Sequence, residues 1–271
     1  MNIRRIGAAT AAVALALGLT ACSSDDDGEG QLKVGIKFDQ PGLGLKEGSE
    51  YTGLDVDVAK YVADQLGTSE DDIEWVQAPS AQRETLLETG QVDMIVATYS
   101  ITDSRKEKVG FAGPYFIAGQ DLLIRADDDS ITGPDSLDGK RLCSVSGSTS
   151  AQTVKEEVPG VNLQEFGTYS ECVSALMSNA VDALTTDDTI LAGYASQDQY
   201  KGKLKLVGKP FTEERYGIGI AKGDTEKCEQ INEAIREMIS DGSWETAVDD
   251  NLGAAGFTPG EGNPPEPDAC S

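Results

Sequence analysis

Three short clusters hold the side chains best suited to binding charge. Ala97-Thr98-Tyr99-Ser100-Ile101-Thr102-Asp103-Ser104-Arg105 gathers hydroxyls ahead of a guanidinium. That group is a planar fork, and it grips a carboxylate through two hydrogen bonds. The spacing equally suits a helix start, with Asp103 as its cap and Arg105 on a solvated surface. Ser146-Gly147-Ser148-Thr149-Ser150 lies where a strand passes into a helix. Backbone N–H groups and hydroxyls there favour an anion. The Gly-Lys-Ser/Thr ending of a nucleotide loop is missing, and a plain helix cap is the competing explanation. In Thr185-Thr186-Asp187-Asp188, one acid can receive an ammonium group while the other caps the next helix. Both acids acting as caps is the alternative. Each cluster is modest alone. Together they supply one cation, one anion and a hydroxyl-rich nest, the complement of an α-amino-acid zwitterion.

The elements that must position these clusters follow from periodicity. Leu32, Val34, Ile36 and Phe38 alternate with Lys33, Gly35 and Lys37, the period of a strand. A Pro/Gly-rich loop over 40–48 follows. Leu54, Val58, Tyr61, Val62 and Leu66 recur at helical spacing, closed by Gly67. Residues 73–76 predict a second strand, 81–89 a short helix stopped by Gly90, and 92–98 a third strand. This β-α-β-α-β order implies a parallel sheet covered by helices. A crossing strand over 120–125 and an acidic stretch over 127–138 introduce a second unit of the same kind. Its strands are expected at 141–145, 181–185 and 204–207, and its helices at 151–158, 170–179 and 188–195. Residues 216–221 alternate again as a return crossing, and a last apolar helical face runs from Ile231 to Leu252.

The fold class is therefore α/β, in two lobes, the second inserted into the first and joined by a two-strand hinge. Lobe 1 is expected over 31–121 and 218–254, lobe 2 over 122–217, and a tail over 255–271. Ligands in such folds bind where strand carboxyl ends and helix amino ends face a crevice. All three clusters fall at such ends.

The 271 residues include 22 Lys plus Arg, 47 Asp plus Glu and no histidine. The missing histidine removes Ser-His-Asp, Cys-His and His-ligated zinc chemistry in one step. The acidic balance argues against nucleic acid and against a polybasic membrane patch. It does not argue against an anionic ligand, because one buried arginine outweighs remote, screened surface acids.

Arg4 and Arg5 precede an apolar stretch over 6–19, short for a permanent membrane span. Small residues then lead into Cys22. The pattern reads as a bacterial lipoprotein signal over 1–21, with Cys22 the lipidated first residue of the mature chain. An ordinary secretory leader with an incidental cysteine is the alternative. Residues 22–30 form an acidic, Gly-containing tether that should stay extended. Without the leader, 20 basic residues face 47 acidic ones, a net charge of −27. Cys143, Cys172, Cys228 and Cys270 remain, an even number in an exported chain, so two disulfides are the default. Four cysteines allow three connectivities. Cys143–Cys172 and Cys228–Cys270 are favoured because each pair falls within one region. Zinc on four cysteines is the rival, weakened by the absence of CxxC spacing.

The order and wording of these motifs resemble the family 3 bacterial extracellular solute-binding proteins, the polar amino-acid receptors of ABC importers. The likeness runs from about Leu32 to Leu252. Its most specific stretches are Gly53-Leu54-Asp55-Val56-Asp57-Val58-Ala59, Val92-Asp93 through Arg105, and Phe111-Ala112-Gly113-Pro114-Tyr115. The resemblance implies a class II periplasmic-binding-protein fold whose lobes close about a hinge at 120–125 and 215–221. It implies that Arg105 holds a ligand α-carboxylate, helped by Ser100 and Thr149, with Ser148 in the same nest. Thr98 would accept a hydrogen bond from the ammonium, and Asp187 would be its counter-ion.

Lys37-Phe38-Asp39-Gln40-Pro41-Gly42-Leu43-Gly44 is most similar to the glutamate-binding lipoproteins of actinobacterial importers, and Gln40 within it joins the candidate set. Lys37 ends the first strand at the crevice. Ser80 and Arg83 start the short helix, where glutamate/aspartate receptors of this fold carry a serine and a basic residue. Tyr169 falls where those receptors carry a histidine, a departure. A surface lysine and a helix-surface ion pair are the competing explanations of Lys37 and Arg83.

The resemblance thus implies a lipid-anchored receptor, monomeric, on the outer face of the cell membrane. It would capture L-glutamate and deliver it to permease subunits driven by a cytoplasmic ATPase, with no cofactor, metal or nucleic acid. A glutamine, aspartate or asparagine receptor is the runner-up. An enzyme is a further alternative, since a few periplasmic dehydratases and murein-cleaving proteins share the fold. Without histidine its acid/base chemistry would rest on carboxylates. A sensory protein with a partner kinase is the third.

Overall fold

The computed structural model describes residues 31–270. The leader, Cys22 and the acidic tether lie outside the described residues.

β1 (Leu32–Ile36) buries Val34 and Ile36 completely, as its alternation requires. Beyond it, 40–48 is not a plain loop. β2 (Asp39–Gln40), β3 (Gly44–Glu47) and β4 (Glu50–Thr52) make a small antiparallel sheet. Strands this short, with Gly and Pro between them, carry no readable period. α1 (Leu54–Gln65) buries Leu54, Val58 and Val62 along one stripe. β5 (Ile73–Gln77), α2 (Arg83–Glu88), β6 (Met94–Ser100) and α3 (Asp103–Lys106) follow. β1 pairs in parallel with both β5 and β6, as the β-α-β-α-β order implies. β7 (Gly110–Ala118) has no counterpart in the periodicity, because Gly113 and Pro114 interrupt it. It is an edge strand, where proline is tolerated.

The chain crosses at Gly119 into the second lobe, whose elements begin with β8 (Gln120–Arg125), β9 (Arg141–Val145), α4 (Thr149–Glu157) and β10 (Asn162–Phe166). α5 (Tyr169–Met177), β11 (Ala183–Asp187), α6 (Asp188–Ser196) and β12 (Leu204–Leu206) complete it. Its sheet runs β10-β9-β11-β8-β12, the first three parallel and β8 reversed. β13 (Glu214–Ile220) then returns to the first sheet between β6 and β7, antiparallel to both. α7 (Thr225–Ser240) and α8 (Ser243–Leu252) close the first lobe. The first sheet reads β5-β1-β6-β13-β7, so both lobes show three parallel strands followed by a reversed one. This is the two-lobed α/β fold.

Sheet membership moves the expected hinge. β8 lies wholly in the second sheet and β13 wholly in the first. Residues 207–212 still bond to β8, and Glu214 pairs with Ala118 of the first sheet, so we propose the lobe boundaries at Gly119 and at 213, not within 120–125 and 215–221. Alternation marks a strand but does not say which sheet the strand joins.

Cys143–Cys172 ties β9 to α5, and Cys228–Cys270 ties α7 to the tail. With sequence separations of 29 and 42 residues, loop closure gives each about 3.5–4 kcal/mol on a chain-entropy view. The pinned tail covers the open edge of β7. Ile117 N donates to Asn263 Oδ1 at 2.9 Å, Asn263 Nδ2 donates to Ile117 O at 2.7 Å, and Asp268 N donates to Gly113 O at 2.8 Å. Backbone groups that an edge strand would expose are satisfied this way.

Candidate ligand-binding cleft

The carboxyl ends of β6 and β11 meet the amino ends of α2, α4 and α5 between the lobes. Ser80, Arg83, Thr98 and Arg105 from lobe 1 and Ser148, Thr149, Tyr169 and Asp187 from lobe 2 line one narrow polar cavity, closed down to about 10 Å³. Each of the eight is a residue singled out from the sequence. Lys37, Gln40 and Ser100, the other three candidates, are buried immediately around this cavity. Size alone does not locate a site here. A space of about 680 Å³ opens between α1, α7 and α8, but its charged lining is Lys60 amid five acids.

Local geometry aims each group. Thr102, not Asp103, caps α3, accepting from Arg105 N at 3.3 Å. That turn sends the Arg105 side chain inward instead of to the surface. Its Nη1 donates to Ser100 O at 2.7 Å, and its Nη2 donates across the cleft to Gly147 O at 3.2 Å. Glu84 Oε1 lies 3.5 Å from Nε.

Arg83 is only 2% exposed, and its one side-chain hydrogen bond among the described residues runs from Nε to Ala78 O at 3.3 Å. Burial lowers its pKa, and repulsion from Arg105 adds to this. A guanidinium does not give up its proton, so this is a buried cation with donors to spare. Both guanidinium groups lie over the Tyr99 ring, Arg83 at 5.1 Å and Arg105 at 4.8 Å from its centroid.

Thr98 has φ +46°, a conformation that costs a β-branched residue energy and that tends to mark functional positions. Its hydroxyl donates to Ala97 O at 2.7 Å and lies 3.3 Å from Gln40 Oε1. Gln40 Nε2 is buried without a partner among the described residues. Behind Thr98, Tyr115 donates to the buried Asp55 carboxylate at 2.6 Å. Burial pushes that carboxyl up to about 6.

In lobe 2, Ser148 caps α4 by accepting from Ala151 N at 3.0 Å. Thr149 Oγ1 donates to Glu214 Oε2 at 3.0 Å and lies 3.4 Å from Ser100 Oγ of lobe 1. The two acids of 187–188 divide their roles. Asp188 Oδ1 accepts from Thr189 N at 2.8 Å and from Gly119 N at 3.3 Å. Asp187 makes no capping bond and faces the cavity, accepting from Tyr216 OH at 2.7 Å and Ser150 Oγ at 3.4 Å. Burial holds its carboxyl well above the usual range, and the Glu214 carboxylate reinforces the shift. Lys37, 2% exposed, is not directed to the surface. Its Nζ lies 5.4 Å from the Tyr169 ring centroid and 3.5 Å from Asp39 Oδ1.

Two glycines permit this close approach of the lobes. A Cβ on Gly147, at φ +78°, would lie 2.7 Å from Ala81 Cα, and one on Gly193 would lie 2.0 Å from Pro41 O. Asp39, Glu84, Glu214 and Tyr216 also serve the site, and nothing in their local spacing marks them. Each meets its partner from a distant part of the chain.

A bipolar, hydroxyl-lined cleft between two α/β lobes is the architecture of a receptor for a small charged solute. The chain belongs to the bacterial extracellular solute-binding proteins, family 3, which it matches over residues 32–254. It is 50% identical to the glutamate-binding protein GluB of Corynebacterium efficiens, across 96% of this chain and 95% of that protein. An ancestral arginine-binding protein bound to glutamine superposes with a TM-score of 0.77 at 35% identity, covering 83% of this chain and 98% of that one. The GluR0 ligand-binding core of Nostoc punctiforme, in complex with L-glutamate, superposes with a TM-score of 0.72 at 26% identity, covering 82% and 99%.

Proposed function

We propose that the protein binds L-glutamate between its lobes and delivers it to an ABC permease, making and breaking no bond. The observation that carries this reading is the charge of the cavity lining: Arg83 and Arg105 against Asp187. Two cations and one anion complement a molecule with two carboxylates and one ammonium. In a closed cleft any unmatched charge costs several kcal/mol, or about that, so the count discriminates. In this reading Arg105, Ser100, Ser148 and Thr149 take the α-carboxylate, and Asp187 and Thr98 take the ammonium. Arg83 and Ser80 take the side-chain carboxylate with Lys37, while Gln40 and Tyr169 pack around it. The similarity to GluB supports glutamate. The glutamine-bound ancestral protein supports a second reading, an amide receptor, but glutamine would leave Arg83 without a counter-charge.

The description of the family as extracellular supports a position outside the cytoplasm. A lipid on Cys22, holding a monomer at the membrane beside its permease, is part of the same proposal. A mass spectrum of the native protein would report the acyl chain and any retained amino acid.

Calorimetry against the twenty amino acids is expected to rank glutamate first, with glutamine about a hundredfold weaker. Equal or tighter glutamine binding would transfer the site to the amide.

The raised Asp187 carboxyl gives this binding a pH dependence. The ammonium needs the ionised carboxylate, so a proton held by Asp187 in the empty cleft must leave on binding. Glutamate affinity should therefore fall as pH drops through the raised Asp187 value, by up to about tenfold per unit. Affinity that stays flat between pH 8 and pH 5 would count against Asp187 as the ammonium partner.

A further inference from the structure

Lobe 1 reaches across the cleft with a residue that the ligand reading leaves unused. Asp39, on β2, is two residues past Lys37, and its side chain is 14% exposed. Its Oδ2 accepts from the backbone N–H of Tyr169 at 3.0 Å and of Ser170 at 3.3 Å, in the first turn of α5 in the other lobe. Tyr194 on α6 donates its hydroxyl to the Asp39 carbonyl and lies 3.3 Å from Oδ2. The second carboxylate oxygen, Oδ1, is buried 3.5 Å from Lys37 Nζ, within ion-pair range, and has no other polar partner among the described residues. Burial lowers the pKa of the Lys37 ammonium, the Asp39 carboxylate raises it, and the Arg83 guanidinium lowers it further. One carboxylate thus satisfies N–H groups of the opposite lobe and balances a cation at the edge of the cavity.

The geometry points to Asp39 as a positioning residue that couples closure of the lobes to selection of the ligand side chain, an inference that rests on the glutamate reading. Its bonds to α5 exist only with the lobes together, so they favour the closed form whatever the ligand. Its charge beside Lys37 offsets part of the field that draws in a side-chain carboxylate. Asp39 therefore tightens binding in general while holding the preference for glutamate over glutamine below what Arg83 and Lys37 alone would confer.

Asp39→Asn removes the charge and keeps the shape and one acceptor oxygen. Glutamine affinity is expected to fall about tenfold through faster release, since α5 loses a charged acceptor. Glutamate affinity should fall less, so the glutamate-to-glutamine ratio rises about fivefold. Calorimetry and stopped-flow release measure both quantities, with the melting temperature of the ligand-free variant as the check on folding. A ratio that is unchanged or lower in a folded variant overturns the role of Asp39 and leaves the glutamate reading standing. Wild-type protein that fails to bind glutamate overturns that reading, and this inference with it. Should Asp39→Asn fail to fold, Asp39→Ser carries the same test with the same expected sign.

Discussion

Arg105→Ala is expected to abolish binding of every amino acid, a loss of about a thousandfold or more. The α-carboxylate is common to all of them, and in the closed cleft it would be left without its cation. Arg105 also joins the lobes through Ser100 O and Gly147 O, so the same change removes a contact that forms on closure. Arg105→Lys separates charge from shape. It keeps the cation but loses the fork, and a loss of about a hundredfold is expected. Calorimetry with three or four amino acids reads both variants, and the ligand-free melting temperature confirms that each is folded. Any amino acid bound by Arg105→Ala within tenfold of wild type would remove Arg105 from the α-carboxylate role.

Arg83→Met should behave differently. Glutamate is expected to lose about a hundredfold or more, and glutamine less than tenfold, so the preference for the acidic side chain collapses. The reason lies in the environment of the guanidinium. It is buried, makes a single side-chain hydrogen bond among the described residues, to Ala78 O, and is repelled by Arg105 and by Lys37. Replacing such an under-compensated ion by an apolar side chain of similar length should leave the ligand-free protein at least as stable as wild type. Competition binding of glutamate and glutamine, with a urea unfolding curve, measures both effects. Equal losses for the two ligands would make Arg83 a structural residue and not a selector.

The residues proposed to bind the ligand could be picked out of the sequence because they sit at element ends. Thr98 and Ser100 end a strand, Ser148 and Thr149 start a helix, and Asp187 joins a strand to a helix. Such junctions show in a sequence as a change of period, and they coincide with the crevice of any parallel α/β sheet. Where periodicity was broken the reading failed. β7 is interrupted by Gly113 and Pro114, and β10 is half-exposed and shows no alternation. The three short strands after β1 resemble a loop in the sequence for a related reason, since two to four residues cannot display a period.

Composition and local pattern were enough to read two α/β units, the exclusion of histidine chemistry and the charge types gathered at the strand ends. Those properties depend on residue type and on neighbours within a few positions, which a linear chain displays directly. Packing alone decided that Asp187 faces the cavity while Asp188 bonds to the Thr189 and Gly119 N–H groups, that Thr102 rather than Asp103 turns Arg105 inward, and that both crossings lie outside β8 and β13. It alone brought Glu214 to Thr149 across 65 positions and Asp39 to Tyr169 across 130. A side chain's period reports which face of its own element is buried, whereas its partner is set by how separate elements dock, and that docking energy has no local signature.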